Sequence, residues 1–493
     1  MTRMSVIDPR TPCLIGVAQE TVRPPEGPAP EPLESWERVA RAAAEDAGAP
    51  SLLADLDSVQ VVYCHSWPYD DPVGRLVERL GADPKHRLYS GIGGTTPQVL
   101  LNDAATSILN GDASMVLVVG AEALATKRAL KKAGERPAWS HRDPEKKPFP
   151  FEAIPHASEI AHEVFQAYLT FALFDVARRA RLGMSSADYS RAIGETLAPM
   201  TKVAAANPHA WFPVERTAEE LMTPMPDNRL VASPYTKHAV SIIDVEMAAA
   251  VVLASHERAD SLGVPAERRV YLRGWSYATD PWVVAERADL SRSVAMREVS
   301  RAALAMAGLT VDDIGHLDLY SCFASSLHFA CDALGIEPSD PRGLTVTGGL
   351  PFAGGPASNY MLHSVAAMAE VLRADPGSAG LVSGVGMHMT KHAYAVYSTT
   401  PGTVAPSDKL KVAQPRSDVV ESYAGPATVA TYSVVHGRDG APEWGLLVID
   451  LPAGGRGYAR VSDPALLADA AARELVGAVV TVTTDGRVNT ATW

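Results

Sequence analysis

Between residues 12 and 121 the chain alternates apolar runs with stretches of helical period. DSVQVVYC (57–64) and ASMVLVVGAE (113–122) are predominantly apolar, the pattern of strands covered on both faces. CLIGVAQE (13–20) reads as a further strand. From 35 to 47, Trp36, Val39, Ala40, Ala43 and Ala47 share one face of a predicted helix. A proline- and charge-rich insertion over about 122–238 breaks this rhythm, and within it HEVFQAYLTFALFDVARRARLG (162–183) reads as one long helix. Alternation returns with the strand RVYLRGWSYA (269–278), a helix over 291–307 and the strand HLDLY (316–320).

Two segments share an uncommon pattern, a glycine turn running into an apolar helix. They are GIGGTTPQVLLNDAATSIL (91–109) and TGGLPFAGGPASNYMLHSVAAMAEVL (347–372). Each precedes an apolar strand ending in glycine, ASMVLVVGAE in one case and AGLVSGVGMHM (379–389) in the other. This order predicts an internal duplication. After residue 400 a proline-rich linker leads to short strands at ATVATYSVVHG, EWGLLVIDLP and GYARVSD, with Asp439-Gly440 at a hairpin turn. A helix over 464–475 opens on Asp463-Pro464, and AVVTVTTDGRVNTATW closes the chain. Five β-segments and one small helix predict a compact barrel.

Composition narrows the function classes. Of the 493 residues 47% are hydrophobic and 20% charged, a soluble globular profile. A net charge of −13 repels a phosphate backbone, so no nucleic-acid partner is expected. The longest apolar run, MAAAVVLAS (247–255), is far shorter than a bilayer span, so no membrane insertion is expected. Cys13, Cys64, Cys322 and Cys331 show neither CxxC nor staple-like spacing. That pattern predicts no metal, no disulfide framework and a reducing cytoplasmic home. Neither glycine turn carries the Lys-Ser/Thr of a P-loop.

The ordering of residues 10 to 400 resembles the thiolase superfamily, and most of all its sterol-carrier-protein-type branch. HLDLYSCFASSLHFACDALGI (316–336) looks like that branch's His-Asp-Cys-Phe segment. GGLPFAGGP (348–356) looks like the Gly-Gly-Leu…Gly-His-Pro loop, and NGDASMVLVVGAE like the strand after the nucleophile's helix. AANPHAWF and DVEMAAAVVLAS match further segments. The resemblance implies an α/β fold, the duplicated thiolase fold layered αβαβα. Its N-terminal half would span 1–268, including the inserted loop domain at about 122–238. A second half would span 269–400, and an additional β-barrel module resembling an oligonucleotide/oligosaccharide-binding (OB) fold would span 417–493. It also allows a homodimer.

The family's chemistry needs a cysteine nucleophile, an activating histidine and a second cysteine. The resemblance places the nucleophile at Gly94, the histidine of Gly-His-Pro at Gly355 and the second cysteine within 381–387, where none occurs. The His-Asp pair becomes Tyr320-Ser321. Thiolysis by the family route is therefore not expected. What remains is a site able to bind coenzyme A or an acyl-CoA. Gly93, Gly94, Thr95, Gly354, Gly355 and Gly384 are its candidate lining, with backbone amides at Gly94 and near Gly384 for a thioester oxygen. Tight helix packing would also suit these glycines.

Tyr320 is the candidate catalytic residue, as a hydrogen-bond donor to a carbonyl or, with a lowered pKa, as an acid; the plain alternative is a tyrosine lining an apolar tunnel. Cys322 reads as a buried structural thiol, His363 as a core histidine, and Thr95 and Thr96 as helix caps. The basic stretch 127–147, with Lys131 and Lys132, is a candidate partner for CoA phosphates or a solvated loop, and Arg178, Arg179 and Arg181 form a second cluster. Two functions follow: a thiolase-like acyl-CoA-binding carrier, sensor or subunit without thiolase activity, or a CoA-thioester enzyme of C–C lyase or other acyltransferase type using Tyr320.

Overall fold

The computed structural model describes residues 7–23, 30–145, 150, 152–153, 155–407 and 409–493. The described residues form sixteen strands, β1 to β16 in chain order. The first half supplies β1 (Pro12–Thr21), β2 (Ser58–Val61), β3 (His86–Tyr89), β4 (Met115–Ala123) and β7 (Glu246–Ser255). The insertion contributes the short β5 (Leu230–Ala232) and β6 (Tyr235–Thr236). The second half supplies β8 (Val270–Thr279), β9 (His316–Asp318), β10 (Ala379–Gly386) and β11 (Lys391–Ser398). The C-terminal module holds β12 (Gly425–His436), β13 (Pro442–Asp450), β14 (Arg456–Val461), β15 (Val479–Thr484) and β16 (Asn489–Thr492).

One nine-stranded sheet runs β3-β2-β4-β7-β1-β8-β11-β10-β9. About the β1–β8 seam, where Cys13 faces Tyr271, four strands on one side mirror four on the other, and β3 is an extra edge strand. β2 runs parallel to β4, which is antiparallel to β7, as β9 runs parallel to β10, which is antiparallel to β11. The duplication read from the glycine turns is thus written into the strand order. β4, β7, β10 and β11 are buried along their whole length, which explains their largely apolar sequences.

The helices led by the glycine turns, Thr96–Asn110 and Tyr360–Ala374, pack against each other and against strands of the sheet. The first starts with Pro97 in its opening turn and stops at Gly111 in the left-handed conformation. Thr95 stands at its N-cap without a side-chain capping bond, contrary to the capping role expected for it. Outer helices cover the sheet, Pro32–Asp46 against β1 and β7 and Val294–Ala307 against β8 and β11. The predicted strand 316–320 ends at Asp318, after which Leu319 donates its N–H to Leu344 O at 2.9 Å.

The C-terminal strands close as β13-β14-β16-β15-β12, with β12 pairing back to β13. The insertion and this barrel, separate in the sequence reading, are joined. β5 pairs with β12 at Ala232 and Val435, and Ser233 N–H donates to Val434 O at 2.9 Å. The long helix of the insertion begins at Ala167 and ends at Leu182, later than its apolar period suggested. Arg179 on this helix ion-pairs with Glu474 at 2.6 Å, and Thr431 Oγ1 donates to Leu173 O at 2.6 Å. Arg178 and Arg181 both pair with Asp332, at 2.9 and 2.6 Å. The arginine cluster is therefore tied up in the fold's own ion pairs. Among the described residues no helix is long and apolar enough to cross a membrane, and no group of acidic, His and Cys side chains could hold a metal ion.

Candidate active site

A cavity of about 470 Å³ opens between the two glycine turns, the start of the insertion helix and the edge of the barrel. Gly94, Tyr320 and Gly355 line it together. Its walls are mostly apolar, with Phe171 and Phe323 stacked at 4.7 Å between ring centres.

The turn at Gly94 is held from several sides. Gly93, at φ +141°, donates its N–H to Ser358 Oγ at 3.1 Å. Beneath it Lys391 Nζ donates to Ile92 O at 2.9 Å, ion-pairs with Glu152 and lies 5.7 Å from the centre of the Trp282 ring. Burial lowers the Lys391 pKa, and the pair with Glu152 opposes that shift. A Cβ added at Gly94 would overlap the Tyr320 hydroxyl and Val385 O, and would lie 2.6 Å from Tyr320 Cζ. The phenol therefore fills the space that a side chain at position 94 would need. At Gly355 a Cβ would overlap Ser241 Oγ and come within 3.2 Å of Ile242 O. Both turn positions closest to the cavity are glycine because a neighbour occupies the room beyond the backbone.

Tyr320 is fixed by its surroundings. Its N–H donates to Ser383 Oγ at 2.9 Å, and its ring meets Tyr360 edge-on at 5.6 Å. Two residues earlier, buried Asp318 accepts from Thr345 Oγ1 at 2.7 Å, Val346 N–H at 3.0 Å and Ser364, which ties the strand to the second glycine turn. Ser321 Oγ accepts from Leu350 N–H at 3.0 Å. The Tyr320 hydroxyl has no hydrogen-bond partner among the described residues and is left to the cavity. Burial raises its pKa well above the ordinary phenol value. That direction is the opposite of the lowered pKa that a role as acid would call for.

Cys322, expected as a buried structural thiol, is half-buried and lines the cavity. Burial pushes its thiol up to about 12, and its Sγ lies 3.1 Å from Ser326 Oγ, so it is no ready thiolate. His363 sits in the core, its Nδ1 3.1 Å from Gln19 Oε1, with its pKa lowered to about 3 by burial.

Gly93, Thr95, Gly354 and Gly384 lie outside the cavity lining. Gly384 is inside β10, paired with Ala393, and a Cβ on it would run into Met361 Sδ. Gly354 backs onto Met247 and Trp211. At the cavity end of β10 the group facing Gly94 is the Val385 carbonyl, an acceptor, where a thioester oxygen would need a donor. Lys131 and Lys132 are exposed in the last turn of the helix Leu124–Lys132 and do not line the cavity. Lys146 and Lys147 of the same basic stretch lie outside the described residues.

Sequence reasoning missed Ser241, Arg229 and His436 on the cavity wall. Arg229 stands beside the short β5, Ser241 between β6 and β7, and His436 at the end of β12, where no period marks them, and only the β5–β12 pairing brings Arg229 and His436 together.

Residues 410–487 match the additional C-terminal domain of thiolase-like protein type 1. Over 99% of both chains the fold is similar to a monomeric SCP2-thiolase-like protein type 1 from Mycobacterium smegmatis, at 33% identity and a TM-score of 0.86. An Ltp2-ChsH2(DUF35) aldolase matches 79% of this chain and 98% of its own at 17% identity and a TM-score of 0.62, a likeness of fold alone. An acetyl-CoA acetyltransferase of Methanothermobacter thermautotrophicus is 29% identical over 147 residues, 30% of this chain and 36% of that protein's length. The chain belongs to the thiolase superfamily, with the SCP2-thiolase-like proteins of type 1 and their additional C-terminal domain.

Proposed function

We propose that this protein binds the acyl part of an acyl-CoA without performing thiolysis. One observation carries the reading: the Tyr320 hydroxyl takes up the space beside Gly94, where the family resemblance puts the nucleophile. A thiol at that position would have no room, and the nearest cysteine lining the cavity, Cys322, is protonated at neutral pH. The cavity offers what acyl binding needs, mostly apolar walls and, at Tyr320, a hydroxyl without a partner among the described residues. A thioester carbonyl accepts the Tyr320 O–H, and the hydrocarbon lies against Phe171 and Phe323. The basic helix ending at Lys131 and Lys132 meets the CoA phosphates. Calorimetric titration with acyl-CoAs of increasing chain length tests this: affinity rises with chain length, and incubation of a 3-ketoacyl-CoA with excess CoA releases no acetyl-CoA and leaves the bond between its α- and β-carbons intact.

The unpartnered phenol also favours a second reading, a C–C lyase in which Tyr320 donates its hydrogen bond to a β-hydroxyacyl-CoA. Under that reading Tyr320→Phe abolishes turnover of such a substrate while CoA affinity holds.

A further inference from the structure

The cavity has a deep end and an exposed end of different chemistry. Gly94 and Tyr320 belong to the buried part of its lining. The same lining holds Phe323, the stacked Phe171, Tyr168 one helical turn before it, and Arg229. Arg229 and Tyr168 are half-buried, and Ile243 on the same lining is 52% exposed. Arg229 Nη1 donates to Leu230 O at 2.7 Å and His436 O at 3.3 Å. Among the described residues its Nε and Nη2 have no acceptor and no carboxylate pairs with it, and no Asp or Glu lines the cavity. A guanidinium with one edge of its fork unengaged, above an apolar shaft, is built for a planar anion carried on a hydrocarbon chain.

We propose that the cavity binds free amphipathic carboxylates of the fatty-acid class. The carboxylate takes the Nε–Nη2 edge of Arg229 and the chain runs inward past Phe171 toward Tyr320. This goes beyond the acyl-CoA reading and does not require it. Two carboxylate oxygens match the two unengaged N–H groups. The long apolar wall offers few partners for a polar linker, whereas it suits bare methylenes.

The test is a calorimetric titration of the full chain with dodecanoate, dodecanol and dodecanoyl-CoA, repeated on Arg229→Gln and Arg229→Lys. Dodecanoate is expected to bind at least tenfold more tightly than dodecanol. Arg229→Gln removes that preference, and Arg229→Lys, which keeps the charge and loses the fork, retains part of it. Circular dichroism checks folding. If Arg229→Gln does not fold, the dodecanoate-to-dodecanol ratio of the parent chain and of Arg229→Lys still decides. Equal binding of acid and alcohol by the parent chain, an unchanged preference in Arg229→Gln, or no dodecanoate binding overturns the proposal. Binding of dodecanoyl-CoA without dodecanoate sinks this inference and leaves the acyl-CoA reading standing, whereas the reverse pattern keeps this one and removes the other.

Discussion

The hydroxyl of Tyr320 occupies the space into which any side chain on Gly94 would have to project. Two residues distant in the chain thereby exclude each other's chemistry, since a nucleophile at 94 and a tyrosine at 320 cannot both be housed. Gly94→Ala is expected to destabilise the fold by about 2–3 kcal/mol through overpacking. In a Tyr320→Ala background the same change should cost at least ~1 kcal/mol less, with the remainder due to Val385 O. Urea unfolding of the four proteins measures this coupling. Strict additivity would show that the two positions do not share space.

Glu122 sets a pH dependence. It is fully buried, accepts from His65 N–H at 2.7 Å, Ser66 N–H at 2.9 Å and the Ser66 hydroxyl, and burial raises its pKa from 4.5 to about 7. The folded state thus keeps a proton that the unfolded chain releases. This group's contribution is most favourable below about pH 4.5 and falls by on the order of 3 kcal/mol as pH rises to about 7. Glu122→Gln removes the term. Denaturation at pH 5 and pH 7.5 should show the parent chain losing more stability over that interval than the variant, and equal losses would place the charge elsewhere.

Much of this architecture was legible locally. Glycine turns followed by apolar helices, and uninterrupted apolar strands, are patterns of neighbouring residues, so the duplication and the sheet could be read from the chain. Contacts between distant segments could not. Arg178, Arg179 and Arg181 look like a free cationic cluster until Asp332 and Glu474 arrive from other elements. Tyr320 was legible as a candidate because it replaces a recognisable motif, and it lines the cavity; the direction of its pKa was not legible, because that depends on burial by partners scattered along the sequence. Arg229 and His436 gave no local signal at all.

Arg179 anchors the barrel to the insertion. It is buried, and it bonds Glu474 at 2.6 Å, Tyr432 Oη at 3.2 Å and Ser186 Oγ at 2.7 Å. Arg179→Ala should cost about 1–3 kcal/mol, because Glu474 is partly exposed and can turn to solvent while Tyr432 cannot. Limited proteolysis should then cut first within 417–493. A variant as resistant as the parent chain would show that the apolar contacts alone seat the barrel.

If Lys131 and Lys132 meet CoA phosphates, replacing both with alanine should weaken CoA binding by on the order of 1 kcal/mol and flatten its salt dependence. Folding should be unaffected, since neither side chain is buried. Calorimetry at two salt concentrations checks both effects. Unchanged affinity would make this helix a solvated face.

The most direct measurement is a crystal structure of the protein soaked with an acyl-CoA. The account predicts the acyl chain inside the cavity lined by Phe171 and Phe323, the thioester carbonyl within hydrogen-bond distance of the Tyr320 hydroxyl, and the thioester uncleaved with no bond to any cysteine. An empty cavity at saturating ligand, or acyl density joined to Cys322, would contradict it.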